Sequence, residues 1–184
     1  MGKDKSVAVV KNKFDYYQEI GSTEKKLSAP VIYISQRANQ VHYDKGEVPL
    51  ESTFPQKLTL EVEASNATIR DFKFKIFERS FMQRPCYRFD SDGEPHNNLG
   101  DIPLPERQVT TPHFHKFNEA GIEIAYKTPF LKENEELNRK LGLEIFAAEE
   151  NIVCDSIPKI CREDELIPPE DVIADPLQGE SFDE

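Results

Sequence analysis

The sequence predicts an α+β protein, in which a curved antiparallel sheet of about five strands carries a C-terminal helix packed on one face. Two observations lead to this prediction. Between residues 58 and 126, apolar and polar side chains alternate in short runs, which is typical of strands with one buried face. Between residues 131 and 152, apolar side chains recur at helical spacing instead. The connections between the predicted strands are short, which favours antiparallel pairing.

The strand pattern is strongest where the predicted sheet begins. Apolar residues alternate with polar ones from Leu58 to Val62, and they do so again in the run 69–77 after a turn at Ser65. These two runs are predicted to form a hairpin. Three further strands are predicted at residues 85–89, 109–117 and 122–126.

The predicted helical segment covers residues 131–152. Its apolar stripe consists of residues spaced three or four apart: Leu137, Leu141, Ile145, Ala148 and Ile152. Gly142 lies inside this stripe and costs a helix about 1 kcal/mol relative to alanine. The sequence therefore leaves open whether the segment forms one helix or two shorter ones.

The chain as a whole divides into three parts. Residues 1–30 are predicted to be a polar N-terminal segment, and residues 31–157 a single α+β domain. Within that domain, residues 31–34 form a short apolar run of strand type, whereas residues 35–56 contain turn residues and are predicted to be irregular. Residues 158–184 are predicted to be a flexible, acidic tail that contains prolines.

The net charge of −11 is concentrated near the C-terminus. Residues 163–184 contain nine acidic residues and no Lys or Arg, so the rest of the chain has a net charge of −2. A strongly acidic body would repel nucleic acid, but a nearly neutral body does not. A phosphate-bearing ligand is therefore compatible with the body. The acidic tail also suggests an alternative function, in which the chain is not an enzyme but a non-enzymatic interaction module that binds a protein partner.

The composition predicts a cytoplasmic location and no association with a membrane. No stretch approaches the roughly 18 consecutive apolar residues of a membrane span. The apolar run at residues 7–10 is shorter than the roughly 7–15 residues of a signal peptide. The three cysteines, Cys86, Cys154 and Cys161, are too few and too irregularly spaced for a disulfide framework or a zinc finger.

The candidate chemistry lies where three of the four histidines fall within 20 residues: His96, His113 and His115. Residues two apart in a strand point to the same face, about 6.5–7 Å from each other, so His113 and His115 share a face. The same parity places Arg88 and Asp90 together on the preceding strand. If these two strands pair, three imidazoles, one carboxylate and one guanidinium are brought together.

Three interpretations of these residues remain open. In the first they are structural: Arg88 pairs with Asp90, and the histidines make ordinary hydrogen bonds on a half-exposed sheet face. In the second they bind a divalent transition metal such as zinc, through His113 and His115 with His96 or Asp90 as a further ligand. In the third they need no cofactor and cleave a phosphodiester bond.

The third interpretation is the function that the sequence favours, a histidine-dependent nuclease or phosphodiesterase acting on RNA or on a phosphate-bearing small molecule. His113 and His115 would be its general base and general acid, because the pKa of imidazole lies near neutrality. Arg88 would hold the phosphate, Asp90 would orient an imidazole, and His96 would add a third polar contact. Further ligand contacts are assigned to Asn97, Arg107 and Lys116.

The segment from Arg88 to Asn98, followed by Pro112-His113-Phe114-His115, resembles the signature of a bacterial family to which no activity is attached. That signature is R-x-D-x-x-G-x-x-H-x-N and then P-H-x-H. The resemblance covers about residues 58–152. It implies one shared site, formed by His96, His113, His115, Arg88, Asp90 and Asn97.

The chain departs from this family pattern in the loop. Asn98-Leu99-Gly100-Asp101 stands where the family has Pro-Asp-Gly after its asparagine. By analogy with other small bacterial proteins of this build, the resemblance implies a toxin–antitoxin or mobile-element context.

Overall fold

The computed structural model describes residues 5–36, 42–99, 103, 107–134 and 136–163. In these residues the helices are α1 (Lys5–Asn12), α2 (Phe14–Ser22), α3 (Pro129–Glu133) and α4 (Arg139–Glu149). The strands are β1 (Lys25–Lys26), β2 (Val31–Gln36), β3 (Tyr43–Ser52), β4 (Leu58–Ser65), β5 (Phe72–Phe77), β6 (Tyr87–Asp90), β7 (His96–Asn97), β8 (Gln108–Val109), β9 (His113–Phe117), β10 (Glu123–Tyr126), β11 (Ile152–Val153) and β12 (Lys159–Arg162).

Ten of these strands form one curled sheet. Eight follow one another in the order β10-β9-β6-β5-β4-β3-β1-β11, while β2 pairs with β3 and β12 beside this path. Neighbours from β3 to β10 run antiparallel, whereas β1 with β11 and β2 with β12 run parallel. The remaining two strands, β7 and β8, form a small ladder in the loop between β6 and β9.

The two faces of the sheet differ in chemistry because side chains alternate along each strand. One face carries fully buried aromatic rings: Phe72, Phe74, Phe89 and Phe114. Helix α4 packs on this face, where the ring of Phe146 lies 5.7 Å from that of Phe74. The opposite face carries charged residues and histidines. The aromatic core and the candidate chemistry are therefore separated by the thickness of the sheet.

The N-terminal helices belong to the folded body. Tyr17 of α2 is 2% exposed, and its ring stacks on Tyr87 with 4.9 Å between the centroids. Its hydroxyl donates to the carbonyl oxygen of Cys86 at 3.0 Å and accepts the backbone N–H of Phe117 at 2.9 Å. Helix α2 is thereby tied to both β6 and β9, the two strands that carry the candidate site.

The α+β class is confirmed, and so is the predicted hairpin β4–β5. The strands predicted at residues 109–117 and 122–126 correspond to β9 and β10, which also pair antiparallel. The sheet has ten strands rather than about five. Residues 35–56, predicted to be irregular, contain the strand Tyr43–Ser52, so that prediction was wrong. The strand lacked a clear sequence pattern because it contains Gly46 and Pro49 and has few apolar residues.

The helical segment forms two helices, but the interruption does not fall at Gly142. Helix α3 ends at Glu133 and α4 begins at Arg139, where the side chain of Asn138 caps the first turn by accepting the N–H of Leu141 at 2.9 Å. Gly142 lies buried inside α4.

The last described residues belong to a strand. Strand β12 extends the fold to Arg162, beyond the predicted start of the tail at residue 158. Residues 164–184, which include most of the predicted acidic tail, lie outside the described residues. In the part of the chain that the structure describes, no helix is long and apolar enough to cross a membrane.

Candidate active site

Strands β6 and β9 are direct neighbours, as the candidate site requires. Arg88 lies opposite His115 in this antiparallel pair, and Asp90 lies opposite His113. Because the residues two apart on each strand point the same way, all four side chains lie on the sheet face opposite the aromatic core. The conditional prediction that these two strands pair is therefore confirmed, and it brings four of the predicted site residues together.

The two imidazoles are in direct contact. The Nε2 atoms of His113 and His115 are 2.8 Å apart, and each residue is only 2% exposed. The Nδ1–H of His113 donates to the carbonyl oxygen of Thr110 at 3.2 Å. A carbonyl oxygen can only accept, so in the neutral ring the free electron pair of His113 lies on Nε2 and faces His115.

Asp90 lies beside both imidazoles. Its Oδ2 is 3.2 Å from His115 Nε2, 4.0 Å from His113 Nε2 and 3.2 Å from Arg88 Nε. Its other oxygen, Oδ1, is buried and has no hydrogen-bond partner in the described residues. One potential ligand from each of Asp90, His113 and His115 falls in a group whose atoms all lie within 4.8 Å of one another.

The pKa values of His113 and Asp90 favour a free electron pair on the first and a negative charge on the second. Burial, reinforced by His115, lowers the pKa of His113 to about 4, and the same two causes lower the pKa of His96. Burial alone would raise the pKa of Asp90, but the hydrogen bond to His115 and the charge of Arg88 outweigh it, and the pKa lies below its usual value. At neutral pH the cluster therefore contains neutral His113 and ionised Asp90.

Arg88 is the cation of the cluster. Its Nη2 lies 2.9 Å from Nε2 and 3.2 Å from Nδ1 of His115. A second carboxylate, Glu123 of β10, lies on the other side, with Oε1 3.8 Å from Arg88 Nη2 and 3.7 Å from His115 Nδ1. Glu123 is also paired with Arg84. The guanidinium therefore has two carboxylates within reach, Asp90 and Glu123.

The loop between β6 and β9 contributes His96. Its half-buried ring lies 4.9 Å from the ring of His115 and 6.3 Å from that of His113, measured between centroids. The neighbouring Asn97 is exposed and pairs with Gln108 across the small β7–β8 ladder. Three imidazoles are thus grouped as expected, with His96 nearest the solvent.

Asn98, rather than Asn97, makes the specific contact of this loop. Its side-chain amide donates to the carbonyl oxygen of Ala125 at 2.9 Å and accepts the N–H of Ala125 at 2.7 Å. The Asn98 side chain thus makes one donated and one accepted hydrogen bond with the backbone of β10, as the backbone of a neighbouring strand would. The asparagine of the family pattern, counted residue by residue from Arg88, also falls on Asn98.

The two remaining cations assigned from the sequence lie elsewhere. Lys116 is on the opposite face of β9 from His115, with its Nζ 4.3 Å above the ring of Tyr126. Arg107 is exposed, and its carbonyl oxygen accepts the backbone N–H of Asn98 at 2.7 Å. Lys116 is therefore not part of the histidine cluster, and the structure shows no contact between the Arg107 side chain and the cluster in the described residues.

A row of buried charges continues from the cluster across the same face. Lys75 lies opposite Arg88, and its Nζ is 3.1 Å from Glu61 and 2.6 Å from Glu63. Lys45 also pairs with Glu63. These four side chains are between 7% and 13% exposed, so this part of the face is a neutralised ion-pair network rather than an open basic surface. The sequence alone did not predict this network, because its partners come from three strands.

Fold and site together define an α+β protein with a buried histidine–aspartate–arginine cluster on one face of a curled sheet. Comparison with protein-family models, with curated proteins and with solved structures finds no match. The function is therefore argued from the geometry of the site.

Proposed function

We propose that the chain binds one divalent transition-metal ion through Asp90 Oδ2, His113 Nε2 and His115 Nε2. The observation that carries this proposal is the convergence of the three atoms, which are 2.8, 3.2 and 4.0 Å from one another. Ligand atoms that share a zinc or iron ion through bonds of about 2.0–2.2 Å lie about 3 Å apart. The cluster needs only small side-chain movements to reach that spacing.

The orientation of His113 supports the proposal. A metal-binding histidine commonly donates its second ring N–H to a carbonyl or carboxylate oxygen, which fixes the ring and directs the free electron pair to the ion. The hydrogen bond from His113 Nδ1–H to Thr110 has this role. The buried Oδ1 of Asp90, which has no hydrogen-bond partner among the residues that the structure describes, is a further acceptor beside the proposed ion.

Two histidines and one carboxylate leave coordination positions open. Such an incomplete set is typical of sites that bind water or a substrate, in contrast to the closed four-ligand sites of structural zinc. His96 lies next to His115 and is the candidate for contact with whatever enters from the loop side. We therefore infer a reactive rather than a structural metal site, with zinc or ferrous iron best matched to this ligand set.

The positive charge of Arg88 lies where it would repel a bound metal ion. Its guanidinium touches His115 and is 3.2 Å from Asp90 Oδ2. Glu123 offers it an alternative partner at 3.8 Å. Metal binding would thus be accompanied by a shift of the guanidinium from Asp90 towards Glu123, and removal of the guanidinium should strengthen metal binding.

The test is titration of full-length, chelator-treated protein with Co²⁺ and Zn²⁺, followed by the visible absorption of bound Co²⁺ and by calorimetry. We expect one ion per chain and at least tenfold weaker binding by Asp90→Asn and by His113→Ala. His42→Ala is the matched control, because His42 is exposed and precedes β3, which lies four strands away from β9 in the sheet. Absence of binding by the wild-type chain, or equal binding by the cluster variants, would refute the metal site.

The second candidate is the metal-independent cleavage of a phosphodiester, with His113 and His115 in acid–base roles. The presence of Arg88 inside the cluster favours it, since a guanidinium can neutralise the charge of a phosphate in the transition state. This candidate predicts RNA cleavage that persists in EDTA and is lost in His113→Ala and His115→Ala.

Arg88→Gln separates the two candidates. If the cluster binds a metal, this variant should bind Co²⁺ more tightly than the wild-type chain, because the competing positive charge is gone. If the cluster binds phosphate without a metal, the same variant should lose RNA cleavage and gain no affinity for Co²⁺. The two candidates therefore predict different Co²⁺ affinities for Arg88→Gln, so this measurement distinguishes between them.

A further inference from the structure

A cleft of about 750 Å³ opens on the other side of the sheet from the histidine cluster. It lies between helix α2, the end of helix α4 and strands β9 and β10. Its volume falls within the range of about 300–1,000 Å³ that is usual for small-molecule sites. The face of β9 that carries Lys116 borders it, so the cleft is separate from the proposed metal site.

The cleft contains a buried carboxyl group, one oxygen of which has no hydrogen-bond donor in the described residues. Glu150, at the end of α4, is 3% exposed, and its Oε1 has no hydrogen-bond partner in the described residues. Burial, reinforced by the ionised form of this carboxyl, raises the pKa values of Tyr87 and Tyr126, both of which line the cleft. A buried carboxylate oxygen without a donor costs stability, on the order of 1–3 kcal/mol or more for a charged group.

The nearest lysine does not complete this environment. The ammonium group of Lys25 is buried, but its three hydrogen bonds go to the backbone carbonyl oxygens of Gly21, Thr23 and Glu150. These bonds use all three of its protons. The Glu150 carboxyl therefore receives no hydrogen bond from Lys25, although it lies in the electric field of that charge.

The rest of the cleft is suited to a cation. Among the described residues its lining includes five acidic side chains and one basic side chain: Asp15, Glu19, Glu119, Glu149, Glu150 and Lys116. Aromatic rings of Phe14, Tyr17, Tyr87, Phe117 and Tyr126 also border it. Acidic groups beside aromatic faces attract ammonium and guanidinium groups through ion pairing and cation–π interaction. Lys116, 4.3 Å above the Tyr126 ring, already makes this kind of contact.

We propose that this cleft binds a small organic cation, an amine or a guanidine, whose positive group pairs with the Glu150 carboxyl among the tyrosine rings. A bound ammonium group supplies the missing hydrogen-bond donor and adds a positive charge to that of Lys25, so the carboxyl ionises against it. A neutral molecule of the same length offers neither.

The experiment uses two probes of equal chain length, 1,4-diaminobutane and 1,4-butanediol. Full-length protein is titrated with each at pH 8.5 and followed by calorimetry and by the NMR shifts of residues that line the cleft. We expect saturable binding of the diamine, with shifts at Gly21 and Ile124, and no saturable binding of the diol. Equal binding of the diol, or no binding of the diamine at millimolar concentration, would overturn the proposal.

Two variants with the same change of charge locate the site. Glu150→Gln should weaken diamine binding at least tenfold, whereas Glu51→Gln, an exposed position on β3, should leave it unchanged. Glu150→Gln keeps the size of the side chain, and its folding is checked by thermal unfolding. Undiminished binding by a folded Glu150→Gln protein would rule out the assigned role of this carboxyl.

Discussion

Gly142 allows a test of the packing between helix α4 and the aromatic face of the sheet. In an exposed helix, Gly→Ala stabilises by about 1 kcal/mol. At Gly142, however, an added Cβ would lie 2.4 and 2.7 Å from two ring atoms of Phe72, which is fully buried. Overpacking of this kind costs about 1–3 kcal/mol. The two effects together predict that Gly142→Ala destabilises the protein by up to about 2 kcal/mol, in spite of the gain in helix propensity.

The assay is chemical denaturation, with two further variants that separate propensity from overpacking. Ala148→Gly, at an exposed position of the same helix, measures propensity alone and should cost about 1 kcal/mol. Phe72→Leu removes the ring that would clash, and in that background Gly142→Ala should become stabilising. A double-mutant cycle yields the coupling between the two positions. If Gly142→Ala stabilises the wild-type protein by about 1 kcal/mol, the close approach of α4 to Phe72 is not as described.

Three further predictions follow from buried polar groups. Burial raises the pKa of Glu150 to about 8, so the folded protein keeps a proton that the unfolded chain loses above its ordinary pKa of 4.5. Its stability should therefore fall by a few kcal/mol between about pH 4.5 and 8, and denaturation of Glu150→Gln across this range should show a smaller fall. Asn98→Ala should cost about 2–4 kcal/mol, because two backbone groups of Ala125 lose their partner, and hydrogen exchange of the Ala125 amide should accelerate. Saturating Zn²⁺ should raise the melting temperature of the wild-type protein and leave that of His115→Ala unchanged, since an ion bound only to the folded state stabilises it.

The antiparallel core of the fold could be predicted because its strands follow a simple rule. Strands β4 and β5 alternate apolar and polar residues, which indicates their buried faces. The chain reverses over a few residues between β4 and β5 and between β9 and β10, which predicts that these strands pair. Strand β3 breaks the rule at Gly46, where a Cβ would lie 2.1 Å from the carbonyl oxygen of Tyr33. Only glycine leaves room for β2 at this distance. The need for glycine therefore comes from the pairing of β2 with β3, which the residues of β3 alone do not predict.

The residues that form the candidate site could also be predicted in part from the sequence. Parity placed Arg88 with Asp90 and His113 with His115, and the assumption that the two strands pair, which the structure bears out, grouped all four. The same parity places Lys116 on the other face, so its assignment to the phosphate site was inconsistent with the rule that predicted the cluster. Glu123 was not predicted, because it enters the site from the next strand, and its distance from Arg88 depends on the register between β9 and β10.

The unpaired atoms of the cluster argue against a purely structural role. Buried ion pairs are seldom more stabilising than well-packed apolar residues of the same size, because desolvation offsets their attraction. Such a cluster therefore contributes most when each of its polar atoms has a partner. Here Asp90 Oδ1 and Arg88 Nε are both buried without a hydrogen bond in the described residues, although Arg88 Nε lies 3.2 Å from Asp90 Oδ2. The arrangement is thus poorly matched to a purely structural role, and this supports the proposal that an ion or a substrate completes its contacts.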